Sequence, residues 1–437
     1  MTGFPARSLF AAAIAASCTT AAVAGAPSYD TIELQARSNL IVNDNGWNVP
    51  AGTSFNSISA VVSDDRQVAF TAGVVPIDGN LSDTGAGLWV GGHAVGGFVA
   101  IHDPGDDPKA TMIISDRPSI NASGQVAYYT SNDGAPYVLR KYDPIAGGSD
   151  VVSLLPLSPT SIANPRIADD GTIGLRGGFN GPYAFVRAVP AAPAELVAYD
   201  THYGAGSSYA YLYSPDTNNA RQMASKVSTS DYDHNEIRLF DGFDDSRLLV
   251  ADAATDAGSP FSRFDNGLWL NDHGAIAVGL SLAEGNVRAI YRFTPAGDTV
   301  EAVEIARVDA AGPVRAIDTF APDINNAGLV VFRGQDANGQ AVFVGDGSTL
   351  VRVIGKGDVV STDLGPAQVG QHVDDPSGWP IFSGSPTLNN AGDVAFVAAL
   401  HPEGDPGEEW GTGVFVAYAT PQVDDVIFAD GFEGPAL

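Results

Sequence analysis

Residues 322–332, Pro322 to Phe332, read PDINNAGLVVF, and this stretch decides how the rest of the chain is read. The same pattern returns at 386–396 as PTLNNAGDVAF and at 118–128 as PSINASGQVAY. Apolar residues flank a polar four-residue insert, Asn-x-x-Gly. Asn bonds its side chain to backbone a little further on, and Gly takes positive φ without a steric penalty. A type I turn closed by a left-handed residue joins two antiparallel strands over a loop of this length. Pro, three residues before the Asn, cannot donate to a central ladder and marks an edge or a bulge. The strand after the Gly, such as 329–334 (LVVFRG), is apolar nearly throughout, so burial on both faces is expected.

With the Asn as marker, the copies fall at Ser63, Asn121, Ala168, Asn218, Asn271, Asn325 and Asn389. Two units depart at the Gly position, where Arg66 and Arg221 stand. Seven units of about 54 residues, each with room for four short strands, predict an all-β, seven-bladed β-propeller with four antiparallel strands per blade. An irregular all-β sandwich with chance turns is the competing reading.

Within each unit, strand a ends at the marker, strand b follows the Gly, strand c is of the type GLWV (87–90), and strand d of the type LVRVIG (350–355). The last unit ends at GVFVAY (413–418) and lacks a fourth strand. The region 28–42, with TIELQA (31–36) and NLIV (39–42), supplies one from the other end of the chain. An N-terminal strand that completes the seventh blade removes the open edges of a linear array. The expected organisation is a signal peptide over 1–24, a propeller over 28–420 and a tail over 421–437. The Asn-x-x-Gly turns all fall on one face of the disc. The longer b-to-c and d-to-a loops fall on the other, which makes that face the candidate for function.

The 437 residues are 44% hydrophobic and 17% charged, with 50 Gly and 28 Pro, a folded and turn-rich profile. The net charge of −29 would repel a phosphate backbone or an anionic lipid surface, so no nucleic acid partner is expected. Arg7, the apolar run Leu9 to Ala16 and Ala22-Val23-Ala24 read as an export signal, and no transmembrane segment is expected because the run is too short to span a bilayer. Cys18, the single cysteine, leaves with that signal. In the alternative reading Ala15-Ala16-Ser17-Cys18 is a lipobox, and Cys18 carries a lipid anchor. The mature chain then has no disulfide, and its expected location is the cell envelope or the medium.

The units resemble a group of bacterial secreted proteins built on tandem Asn-x-x-Gly repeats followed by Val-Ala-Phe, over roughly residues 30 to 420. The tail DDVIFADGFEG (424–434) looks like the Ile-Phe-x-Asp-Gly-Phe-Glu ending of many exported Gram-negative proteins. The resemblance implies a propeller and a sorting role for the tail, and it carries no catalytic residue.

The catalytic motifs of zinc proteases, serine hydrolases and P-loop enzymes are absent, and the seven His are scattered, so catalytic residues stay unknown. Asp231, Asp233 and Asn235 alternate as oxygen ligands do in a calcium loop. Glu236 stands where the sharp-turn Gly belongs, and the competing reading is a solvated b-to-c loop. Ca²⁺ is the only cofactor the sequence suggests. Trp47, Trp379 and Trp410 lie in loops assigned to one face and to neighbouring blades, where they can stack on a sugar or anchor a protein. In the competing reading each packs over its own loop. Trp89 and Trp269 fall inside strands and read as core, and Tyr209, Tyr211 and Tyr213 read as ordinary blade packing. The function expected is therefore an exported binding module for a carbohydrate or protein ligand. The alternatives are a glycan lyase or hydrolase on the same scaffold and a structural surface protein.

Overall fold

The computed structural model describes residues 25–38, 46–50, 52–55, 58–74, 85–102, 112–113, 117–131, 137–243, 245–374 and 380–420. The signal segment with Cys18, the stretch NLIV, Trp379 and the tail lie outside these residues. Among the described residues every regular element is a strand, and the strands form seven sheets. The expected seven-bladed propeller is what the chain adopts. The second strands of its blades are Val68–Val74, Val126–Ser131, Ile173–Gly178, Met223–Ser228, Ile276–Leu282, Val330–Gln335 and Val394–Pro402.

Blade 6 shows why the unit folds this way. Its inner strand comes in two pieces, Ala316–Ile317 and Asp323–Ile324, interrupted around Pro322. The strand continues through the turn into Val330–Gln335, then Gln340–Gly345 and Leu350–Gly355. At the turn, Gly328 N–H donates to the Asn325 carbonyl at 3.0 Å, and Gly328 holds φ at +81°. A β-carbon there would also meet Arg292 Nη1 at 2.5 Å. Arg66 and Arg221 keep the same left-handed conformation, at φ +61° and +62°, so the two deviant units form the same turn.

The Phe of the Val-Ala-Phe segment stacks across the sheet on an aromatic of strand c. Phe332 lies opposite Phe343, Phe396 opposite Phe415, and Phe70 opposite Trp89, with centroids 4.9 to 5.4 Å apart. Each of these rings is fully buried, and such a side chain contributes on the order of 2–3 kcal/mol.

Blade 7 contains Phe382–Leu388, Val394–Pro402, Gly411–Thr420 and the N-terminal strand Ser28–Ser38. The N-terminal strand runs antiparallel to the last strand, from Ser28 opposite Thr420 to Ser38 opposite Thr412. The chain thus closes its ring as the sequence predicts. The sequence reading missed a hairpin before blade 7, Val359–Thr362 and Gly365–Val369, which adds to the end of Val394–Pro402. It carries a clasp. Buried Arg37 of the N-terminal strand reaches both oxygens of Asp363 at 2.9 Å and the Trp410 carbonyl at 3.1 Å.

Candidate functional site

The marker Asn does two things at once. Its Oδ1 accepts the backbone N–H four residues on in all five units that have it, which shapes the turn. Its Nδ2 reaches out of the blade. Asn218 donates to the Asn271 carbonyl, Asn271 to Asn325, Asn325 to Asn389, Asn389 to Ser63 and Asn121 to Ala168, all at 2.9 to 3.1 Å.

The next residue in each turn builds a second ring. Its backbone N–H donates to the side-chain oxygen of the equivalent residue one blade on. These bonds run from Ala122 to Asp169, then Asn219, Asp272, Asn326, Asn390 and Asp64. The repeat therefore joins blade to blade around the axis.

Inside these rings lies an axial cavity of about 160 Å³ to which all seven blades contribute. A dry cavity of about that volume accepts a six-membered ring. Its inner wall comes from the position two residues before each marker, occupied by Val61, Ser119, Arg166, Asp216, Trp269, Asp323 and Thr387. In three blades this side chain accepts a backbone N–H of the next blade. Asp216 accepts the Leu270 N–H at 2.7 Å, Asp323 the Leu388 N–H at 2.8 Å, and Ser119 the Ile167 N–H at 3.1 Å.

The remaining chemistry gathers here. Arg166 Nε lies 3.2 Å from Asp216, and its guanidinium sits 4.8 Å over the Trp269 ring. Arg117 lies 3.5 Å over the same ring. The residue as a whole is partly exposed, yet its Nε and Nη2 are shut off from solvent and have no hydrogen-bond partner among the described residues. Burial pushes the Asp323 carboxyl up to about 7, against the pull of Arg117. Burial raises Asp216 as well, and it drives Arg117 well below the usual arginine range, with Arg166 adding repulsion. The lining offers Trp269, the Arg166 cation, one carboxyl near neutrality and a mouth with three further carboxylates, Asp64, Asp169 and Asp272, while Arg117 touches this lining through Trp269.

The residues singled out by sequence are spread elsewhere. Trp47 and Trp410 are both partly buried against the core shared by blades 6 and 7, and both contact Arg37 through backbone. Trp410 Nε1 donates to Glu408 at 3.0 Å. Trp379 lies outside the described residues, so the three are not seen together. Asp231 Oδ1 accepts the Asp233 and His234 N–H groups and faces His234 Nδ1 at 2.7 Å. Asn235 Oδ1 accepts from Ser228, while its Nδ2 donates to Asp252. Among the described residues no group of three or more His, Cys, Asp or Glu is placed to hold a metal ion.

Trp269, read from sequence as core, lines the axial cavity instead, and the cavity opens on the turn face rather than the face with longer loops. One signal could have revealed it. Two residues before the marker the seven units carry unrelated side chains, three of them charged and one tryptophan, although the positions around them repeat closely.

Comparison with known proteins adds the following. Residues 194–435 match the model of DUF7453, a family of unknown function. No curated protein matches the chain. Among solved structures, a puromycin-hydrolyzing peptidase from Mycobacterium tuberculosis is similar at TM-score 0.50 and 12% identity, over 86% of this chain and 56% of that one. The β-propeller domain of the Trilobed protease from Pyrococcus furiosus is similar at TM-score 0.49 and 10% identity, over 82% and 95%. TolB from Acinetobacter baumannii is similar at TM-score 0.40 and 12% identity, over 61% and 59%. The chain thus spans a little over half the length of the peptidase and TolB chains, and at these identities the likeness concerns the fold alone.

Proposed function

The chain belongs to DUF7453, a family of unknown function, and we propose that it is an exported binding module whose ligand site is the axial cavity. The observation that carries this reading is the cavity wall, where Arg166, Asp216, Trp269 and Asp323 converge from four blades, with the unpaired Nε and Nη2 of Arg117 held over the same Trp269 ring. A buried cation without a partner costs several kcal/mol, and an occupant that accepts its hydrogen bonds offsets that cost. The mouth is acidic, which disfavours a fully anionic ligand. The fitting class is a small neutral polyol or zwitterion that gives an acceptor to Arg117, a donor to Asp323 and a flat face to Trp269. Export rests on the sequence of residues 1–24. No helix among the described residues is long and apolar enough to cross a membrane.

Thermal-shift screening with amino acids, betaines and monosaccharides tests this reading, with Trp269 fluorescence as the second readout. At least one compound raises the Tm of the wild type, and Arg117→Met loses the shift. No response from any class contradicts the reading.

The near-neutral Asp323 carboxyl favours one further reading, acid–base turnover of the bound compound. NMR of the incubated ligand decides it, since an enzyme consumes the ligand and Asp323→Asn binds without consuming it. Calcium at Asp231, Asp233 and Asn235 is a separate proposal. A Ca²⁺-dependent rise in Tm that Asp231→Ala abolishes supports it, and no rise in the wild type removes it.

A further inference from the structure

Away from the axis, a cleft of about 530 Å³ opens between blades 3 and 4. That is the size of small-molecule sites generally, and it exceeds the axial cavity several-fold. Tyr199, at the end of the outer strand Glu195–Tyr199, forms one wall, and Tyr209, just before the inner strand of blade 4, forms another. Strands c and d of blade 4, Asn235–Gly242 and Asp245–Ala251, supply a polar strip. Arg238 donates from Nε to Glu236 at 2.6 Å and from Nη1 to Ser246 Oγ at 2.9 Å, and Ser246 Oγ lies 3.1 Å from the Tyr209 hydroxyl. These bonds fix the guanidinium plane beside two tyrosine rings. Tyr199 in turn stacks at 6.0 Å on Phe243, a phenylalanine that is 52% exposed.

The neighbouring seam shows that the opening is particular to this place. The chain enters blades 4 and 5 through similar loops. A buried Asp, Asp200 or Asp252, caps each loop, and a Ser, Ser207 or Ser259, bonds back to the preceding strand. The first aromatic after the loop is Tyr209 in one and Phe261 in the other, each accepting a backbone bond from the residue after the Asp. One repeat on, Phe293 takes the place of Phe240, but Tyr291 takes the place of Arg238 and Ala289 the place of Glu236. Between blades 4 and 5 the rings close on one another, with Phe261 5.1 Å from Tyr291 and 5.4 Å from Phe293. Between blades 3 and 4 the same frame carries an ion pair and a hydroxyl instead.

We propose that this cleft is a second binding site, independent of the axial cavity, and that it takes a neutral oligosaccharide. Tyrosine walls suit the apolar faces of sugar rings, and a fixed Arg–Glu–Ser strip suits paired hydroxyls. Glu236 and Arg238 neutralise each other, so the cleft favours neither an anion nor a cation.

The test is isothermal titration with cellohexaose, maltohexaose, xylohexaose, laminarihexaose and chitohexaose, with polygalacturonate as the charged control. At least one neutral hexaose binds the wild type. Arg238→Met weakens it by about tenfold or more, the equivalent of one hydrogen bond to a charged group. Tyr209→Phe, which keeps the ring, weakens it less, and Trp269→Ala leaves it unchanged. Far-UV circular dichroism and Tm confirm that each variant is folded, and Tyr209→Phe carries the test if Arg238→Met is not. No binding of any neutral hexaose overturns the proposal. So does affinity undiminished in both Arg238→Met and Tyr209→Phe, equal loss in Trp269→Ala, or preference for polygalacturonate. The axial reading stands or falls separately, because Arg117→Met does not enter this measurement.

Discussion

The seam between blades 7 and 1 and the seam between blades 1 and 2 use the same turns and hold together differently. At the first, Asn389 donates to the Ser63 carbonyl, Asn390 bonds both oxygens of Asp64, and Thr387 Oγ1 donates to the Ala60 carbonyl. Arg66 pairs with Asp393 at 2.8 Å, and that buried carboxylate also accepts from Asn389 Nδ2 and the Ala419 N–H. At the second seam, Ser63 has no amide to send to Asn121, and Ala122 offers no oxygen to Asp64. Both seams carry an apolar cluster, and among the described residues the one at the second seam brings Val61, Ala69 and Leu88 of blade 1 against Val126 and Tyr128 of blade 2 without the turn-to-turn bonds. The dense clasp sits beside the blade assembled from both ends of the chain. The sparse one sits between two blades that are each built from one continuous stretch of chain.

The contrast can be broken from the strong side. Asp393→Ala takes an acceptor from three donors, leaving the Ala419 N–H without its partner, Asn389 Nδ2 with only the Ser63 carbonyl, and Arg66 to solvent. It is expected to cost about 3 kcal/mol in urea unfolding, because hydrogen bonds are lost at a buried position while the half-exposed Arg66 charge is hydrated. Asn389→Ala removes one side chain that bonds within its turn and across the seam, for about 2–3 kcal/mol. The equivalent loss has already occurred at Ser63, so Ser63→Ala falls well below Asn389→Ala. The weak seam can also be sharpened. Ala122→Asp restores an acceptor to the one turn that lacks it and is expected to stabilise by about 1 kcal/mol. An unchanged or lowered urea midpoint would show that the second ring adds nothing at this junction.

A pH series probes the cavity behind the turns. Asp323 has its carboxyl raised in the folded state, to about 7 from an ordinary 3.8. Between those values the folded protein keeps a proton that the unfolded chain has released, so this group's contribution falls as pH rises. The stability advantage of Asp323→Asn over wild type is therefore expected to grow from pH 4 to pH 7 and then level off. A difference flat across that range would contradict the assignment.

The sequence exposed what repeats. Asn325 and Gly328 declare a turn by their own local chemistry, Phe332 declares a buried strand, and counting such units predicts the ring and its closure by Ser28–Ser38. It concealed what depends on the neighbouring blade. That Asn325 also reaches the Asn389 carbonyl, 64 residues away, follows only when the turns stand side by side. The same holds for Arg66 and Arg221, which break the Gly pattern yet pair with Asp393 and Asp170 of adjacent blades. Trp269 looked like core because it falls inside a strand between Leu268 and Leu270, and the axis it faces is not written in any one unit. The hairpin around Asp363 has no counterpart among the described residues of the other blades, so no period announces it.

The most direct test of the axial account is a crystal structure of the protein soaked with a compound that raises its Tm. The account predicts that the compound occupies the cavity inside the turn ring, accepts hydrogen bonds from Arg117 Nε and Nη2, and lies against Trp269. An Arg117 guanidinium paired directly with Asp323 or Asp216, with the compound bound elsewhere, would contradict it.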